Sequence, residues 1–328
     1  MNRHQLGHTN LSVTPLGLGM AALGRPGYIN LGHAGDLNED YNVAAMESHA
    51  HDVLDAAWAA GIRYFDAARS YGRAEAFLGS WLTARNLSPA EVTVGSKWGY
   101  TYTADWQVEA AKHEVKDHTL PVLQRQIDES RALLGEFLDL YQIHSATLDS
   151  GVLQNEAVLD ELTRLKAGGL KIGLSLSGDR QAETLYRALE IETADGRLLF
   201  DAVQATWNLL EQSAGPALQA AHAAGLGVIV KEALANGRLT PRSKEPKMAL
   251  LRQLAADKGI TMDALALAAV LAQPWAGVVL SGAATVQQLQ ANVKAVDVAW
   301  DEETAVRLQA LVEAPAPYWQ TRSQLAWN

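Results

Sequence analysis

A (β/α)8 TIM barrel is the fold class this sequence predicts, on three observations. Short apolar stretches bounded by glycine or turn residues recur eight times, at residues 14–19, 63–66, 92–97, 138–144, 172–177, 202–207, 227–232 and 277–281. Amphipathic stretches with apolar residues at helical spacing separate them. No linker or low-complexity segment interrupts the alternation. With 48% hydrophobic residues the chain can bury a substantial core, so the expectation is one barrel domain over residues 1–328, with an N-terminal hairpin and a C-terminal extension.

Taken in order, residues 6–16 (LGHTNLSVTPL) read as a small hairpin that plugs one end of the barrel, with His8, Thr9 and Asn10 at its turn. Residues 17–22 (GLGMAA) match the G-x-G-x-x-A form of a dinucleotide loop. The context is wrong, because residues 23–37 hold four glycines and Pro26 where such a loop opens into a helix. In GIRYFDAARSYGRAE, residues 61–75, a buried strand delivers Asp66 to a turn, Tyr71 follows in the loop, and a helix begins near Ala74. Helices are predicted over 53–60, 77–84, 120–134, 152–167, 182–189 and 217–224, with an extra one over 261–272. Ser88-Pro-Ala-Glu91 and Thr285-x-x-Gln288 have capping-box spacing, the second opening the helix after the last strand. Residues 24–47 and the tail from Trp300 are additions near the barrel mouth.

Composition removes whole classes of function. A net charge of −10 repels phosphate backbones and anionic lipid, which argues against nucleic-acid and membrane partners. The absence of cysteine excludes disulfides, thiolate metal sites and cysteine nucleophiles. With no apolar leader-like core at the N-terminus and no apolar run of membrane-spanning length, a cytoplasmic protein is expected. His49-Ala-His51 has the look of a metal-ligand pair for a hydrolase, but it precedes a helix rather than closing a strand, and no metal site is expected.

The strand ends carry the chemistry. Thr93, Gly95 and Lys97 share one face of the third strand, and Leu140, Gln142 and His144 share one face of the fourth. Asp66, Lys97 and His144 thus stand at the carboxyl ends of three neighbouring strands, where barrels bind ligands, with Tyr71 beside them. A lysine closing the buried run VTVGSK needs a carboxylate, and Asp66 is the neighbour on hand. Its ammonium would lower the Tyr71 phenol pKa, and His144 could orient a carbonyl. Singly, these residues read equally well as a turn cap, a packed aromatic and a hydrogen-bonded core histidine. Four at matching strand ends are harder to explain by packing.

In these contexts the chain resembles the aldo-keto reductases over nearly its whole length, through LGHTNLSVTPLGLG, GIRYFDAARSYGRAEAFLG, VGSKWG, LDLYQIH, VQATWNLL and SGAATVQQLQAN. The resemblance implies an oxidoreductase that interconverts aldehydes or ketones, sugars among them, and alcohols by hydride transfer with NADP or NAD. It makes Tyr71 the general acid and base, Lys97 and Asp66 the groups that tune it, and His144 the substrate-orienting residue. It further implies that Ser175 and Gln204 hold the nicotinamide carboxamide, that Leu234 and Gly237 lie in the pyrophosphate loop, and that Asn292 meets the adenine. Gly282, Thr285 and Gln288 fall where a cofactor 2′-phosphate would be met.

Three departures stand out. Leu176 replaces an asparagine contact to the nicotinamide; Lys231 stands where an aromatic residue stacks on it, assigning Lys231 to the ribose or phosphate side and leaving Trp207 as a substitute for stacking; and residues 282–288 hold no cation, which leans toward NADH. Tyr28, Trp98, Tyr100, Tyr102, Trp106, Tyr318, Trp319 and Trp327 are candidate walls for a small carbonyl or alcohol substrate. The rival reading is a non-catalytic nicotinamide-binding regulatory subunit.

Overall fold

The computed structural model describes residues 1–328. Its centre is a closed parallel barrel of eight strands in sequence order: β1 (Leu16–Gly19), β2 (Tyr64–Asp66), β3 (Thr93–Trp98), β4 (Leu138–Ala146), β5 (Lys171–Leu176), β6 (Ala202–Thr206), β7 (Gly227–Lys231) and β8 (Val278–Ser281). Each coincides with a predicted strand to within a few residues, because continuous apolar runs flanked by turn residues suit strands buried on both faces. The register sets Gly19 beside Asp66, Asp66 beside Gly95, and Lys97 beside Gln142. Residues from four separate stretches of sequence thereby meet at the carboxyl end of the barrel.

Helices α1 (Val43–Ala59), α2 (Ala74–Ala84), α3 (Leu120–Leu134), α4 (Glu156–Ala167), α5 (Gln181–Ala188), α6 (Gly215–Ala223), α7 (Ala249–Asp257), α8 (Met262–Leu271), α9 (Val286–Val293), α10 (Glu302–Leu308) and α11 (Pro315–Ser323) complete the chain. Helix α1 begins ten residues before the predicted 53–60. The Asn42 side chain accepts from the Ala44 and Ala45 amides, and Met46, Ala50, Val53, Leu54 and Ala57 form its buried stripe. The predicted helix over 152–167 is split, with a 3-10 turn at Val152–Gln154 before Asn155 caps α4. Helices α7, α10 and α11 have no counterpart among the helices expected from the sequence.

The N-terminal hairpin is offset from its expected place. Its strands are His4–Gln5 and Ser12–Val13, and residues 6–11 form the turn, closed by Leu6 N–H donating to Leu11 O at 2.9 Å. Leu6 is therefore the tip of a plug. It is fully buried, and a Cβ at Gly277 would lie 3.0 Å from its methyl. A second hairpin, Tyr100–Tyr102 with Glu114–Lys116, stands in the loop after β3 and has no counterpart in the sequence reading.

Inside the barrel, Leu6, Val13, Tyr64, Leu140, Ala202, Ile229, Val278 and Leu280 form an apolar cluster that closes the amino-terminal end. The larger cluster lies between the strands and the surrounding helices. No helix is long and apolar enough to cross a membrane.

Candidate active site

Strand alternation sends Tyr64, Asp66, Gln142 and Gln204 to the barrel interior above the apolar cluster. All four are buried. The Asp66 carboxylate accepts on Oδ1 from Tyr64 Oη at 3.2 Å, Gln142 Nε2 at 3.3 Å and Gln204 Nε2 at 2.9 Å, while Oδ2 pairs with the Lys97 ammonium. Gly95 makes this packing possible, since a Cβ there would stand 2.5 Å from Tyr64 Oη. Lys97 also donates to Ala67 O at 2.9 Å and reaches Tyr71 Oη at 3.5 Å. A buried ion pair is tolerable where hydrogen bonds engage both partners; here Lys97 has three acceptors and both Asp66 oxygens have donors.

Tyr71 and His144 stand over this pair, edge to face with ring centroids 5.4 Å apart. His144 occupies an irregularity where the β4–β5 register shifts between Ile143 and Ala146, and Ser145 after it has φ 53°. Such bulges re-aim a side chain at a strand end. His144 Nδ1 lies 3.3 Å from Ser70 Oγ. Burial, then the Lys97 ammonium, push its pKa well below the ordinary imidazole value, so the ring is neutral. For Tyr71 the outcome reverses the expectation of a lowered phenol pKa: burial first and the Asp66 carboxylate second drive it up, outweighing the opposing pull of Arg25. The phenol is held protonated.

These residues face a cavity of about 540 Å³ at the carboxyl ends of the strands. Of the anticipated cofactor contacts, Gln204, Lys231, Leu234, Gly237, Gly282, Gln288 and Asn292 line it; Ser175 and Thr285 do not. The Ser175 hydroxyl accepts from Ser145 N–H at 2.8 Å, and Thr285 caps α9, accepting from Gln288 N–H at 3.2 Å. Gln288 completes a variant of the expected capping box by accepting from Ala284 N–H at 2.9 Å. Tyr28, Tyr100 and Trp327 are cavity walls; Trp98, Tyr102, Trp106, Tyr318 and Trp319 are not. Trp207 is also absent from the walls and packs edge-on against Trp275 at 5.6 Å, which removes it as a stacking platform. His49 and His51 lie on α1, bound to Ala284 O and to Ser80 Oγ with Phe77 O.

Sequence reasoning missed the ionic residues that frame the cavity. Arg25 is buried beside Tyr71, its Cζ 5.2 Å from the ring centroid, and its Nη1 donates to Ser70 O and Glu114 Oε2, both at 3.0 Å. Arg322 donates to Glu232 from Nε at 3.2 Å and Nη2 at 2.6 Å. At the far end Arg242 pairs with Asp36, its Nη1 at 2.7 Å, and Gln288 Nε2 donates to the same carboxylate at 2.8 Å. Residues 282–288 thus lack a cation of their own, yet Arg242 brings one beside them, already neutralised. No short-range spacing signals these pairs.

A model of the aldo/keto reductase family matches residues 15–313. The chain belongs to the aldo-keto reductase family. Among characterised relatives of this aldo-keto reductase are a pyridoxal 4-dehydrogenase of Microbacterium luteolum, 27% identical over 277 residues (75% of this chain, 74% of the relative), and a D-threo-aldose 1-dehydrogenase of a Pseudomonas species, 29% identical over 220 residues (62% and 64%). The solved holo form of an aldo-keto reductase from Bacillus halodurans superimposes with a TM-score of 0.70 at 22% identity, covering 96% of this chain and 97% of that one, which shows the shared fold. Membership and these relatives make the protein an oxidoreductase.

Proposed function

We propose that the cavity converts aldehydes or ketones to alcohols, and the reverse, with a bound NADP or NAD. The observation that supports this most directly is a protonated phenol, Tyr71, within 3.5 Å of an ammonium that is itself anchored on a carboxylate with donors on both oxygens. A carbonyl oxygen gaining negative charge needs a proton donor, and Tyr71 Oη is that donor. Lys97 then faces the phenolate and stabilises it, while Asp66 keeps the ammonium in place. In the tautomer in which Nδ1 accepts from the Ser70 hydroxyl, neutral His144 carries its proton on Nε2 and presents an N–H to the same oxygen. Running backward, the phenolate accepts the proton of an alcohol.

The cavity residues between Gln204 and Asn292 fit a dinucleotide on structural grounds. Asn236 Oδ1 and Asn292 Oδ1 are buried acceptors without partners in residues that line the cavity, and a Cβ at Gly282 would meet nothing within 4 Å. Gln204 would face the nicotinamide carboxamide, Leu234 and Gly237 the pyrophosphate, and Gln288 and Asn292 the adenosine. When bound, the reduced nicotinamide supplies the hydride. Asp36 engages both the Arg242 guanidinium and Gln288 Nε2, so neither is free to receive a 2′-phosphate, which favours NADH.

The test is NAD(P)H consumption with a panel of aldehydes by the native enzyme and Tyr71→Phe. Loss of about a hundredfold to ten-thousandfold in turnover with cofactor affinity retained is expected of a missing general acid. Near-native turnover in that variant removes Tyr71 from the mechanism. Cofactor binding without turnover of any aldehyde would instead favour the regulatory subunit.

A further inference from the structure

Seven ionisable side chains gather around Tyr71 and His144, and their pairing leaves one cation over. Asp66 serves Lys97, Glu114 serves Arg25, and Glu232 takes two donors from Arg322 on one oxygen. The fourth cation, Lys231, has no carboxylate within hydrogen-bond distance. Its Nζ is 3.8 Å from Glu232 Oε1 and donates only to Thr206 Oγ1, at 3.1 Å. Two of its three N–H donors are therefore without partners, although the side chain is only 16% exposed. Arg322 Nη1 is likewise unengaged, and Lys231 and Arg322 both line the cavity and lie near the Trp319 ring.

With His144 neutral, this end of the cavity carries one net positive charge in a chain whose total is −10. That local reversal of sign is costly unless something pairs with it: burial disfavours the Lys231 ammonium, as its lowered pKa records, and the same scarcity of water strengthens its attraction to an anion. We propose that the substrate is a carbonyl compound bearing a carboxylate, which Lys231 receives with Arg322 Nη1 as second donor. This rests on the carbonyl chemistry proposed above, and it moves Lys231 from the cofactor to the substrate.

Matched pairs of aldehydes test it: succinic semialdehyde against butanal, and 4-formylbenzoate against its methyl ester. The expected result is a preference of about tenfold or more in kcat/KM for the acid of at least one pair, carried by KM, that collapses in Lys231→Met while titrated NADH and NADPH affinities stay as in the native enzyme. No preference in either pair overturns the proposal. So does a Lys231→Met enzyme that binds cofactor more weakly but keeps the preference, which would return Lys231 to the cofactor's ribose or phosphate. If no aldehyde is reduced, the carbonyl chemistry has failed, and calorimetry with benzoate and benzamide still decides the charge. Benzoate binding that is lost in Lys231→Met sustains the anion site, and equal binding of the two compounds eliminates it.

Discussion

The two ends of the barrel are built from the same eight strands and solve opposite problems. At the floor, Leu6 is pressed among Tyr64, Leu140, Ile229 and Val278, and water is excluded by close packing alone. At the mouth, Asp66, Lys97, Gln142, Gln204 and His144 are almost as buried, and burial is tolerated because their polar groups are largely engaged with one another. Two or four residues along a strand thus separate apolar packing from the buried polar cluster at the mouth. A change at the floor should be read in stability and a change at the mouth in turnover.

Lys97→Met is where that division should break, and it carries the largest expected effect. Removing the ammonium leaves Asp66 buried without its counter-ion, a cost of about 3–5 kcal/mol in stability, and turnover should fall at least as far as in Tyr71→Phe. Denaturant melts together with single-turnover rates check it, and a stable, active variant would mean the pair is not coupled to Tyr71. Leu6→Ala should sharpen the division: a loss of about 2–5 kcal/mol from the cavity it leaves, with kcat/KM of the folded enzyme unaltered. An altered kcat/KM would show that the plug reaches the mouth.

Asp36→Asn tests the far arm of the cavity, where specificity rather than rate is at stake. Removing its negative charge should raise the NADPH to NADH ratio of kcat/KM about tenfold, about 1.4 kcal/mol. An unchanged ratio would place the cofactor's 2′ position away from Asp36. The smallest effect belongs to Asp139, near the floor end of β4, which accepts from Val94 N–H at 2.9 Å and is pushed up to about 6 by burial. Its folded pKa lies above the unfolded value, so the folded state holds the proton more tightly. Stability is then lost as pH rises from about 4 to about 6, and the loss persists at neutral pH. Asp139→Asn keeps an acceptor for Val94 and should raise stability by about 1 kcal/mol at pH 7 and by almost nothing at pH 4. Equal melting-temperature gains at both pH values would show that the carboxylate's charge is not responsible.

The barrel and the group Asp66, Tyr71, Lys97 and His144 were legible in the sequence because each depends on local signals. Period-two alternation and turn residues place a strand's last side chain, and parallel register in a closed barrel then sets strand ends side by side. The hairpin was misplaced for the converse reason, since a two-residue strand has little periodicity of its own; α7 does carry a buried stripe, Leu251, Leu254 and Ala255, but it packs on an outer cluster outside the eight strand–helix units. What surrounds these four side chains was decided only by the tertiary structure. Arg25 meets Glu114 across 89 residues, Glu232 meets Arg322 across 90, and Asp36 meets Arg242 across 206. These charges sit mostly in loops or the final helix, where spacing carries no geometric information. The direction of the Tyr71 pKa likewise had to await the fold, because it is the balance of a burial and a set of neighbouring charges that do not exist until distant segments close around the ring.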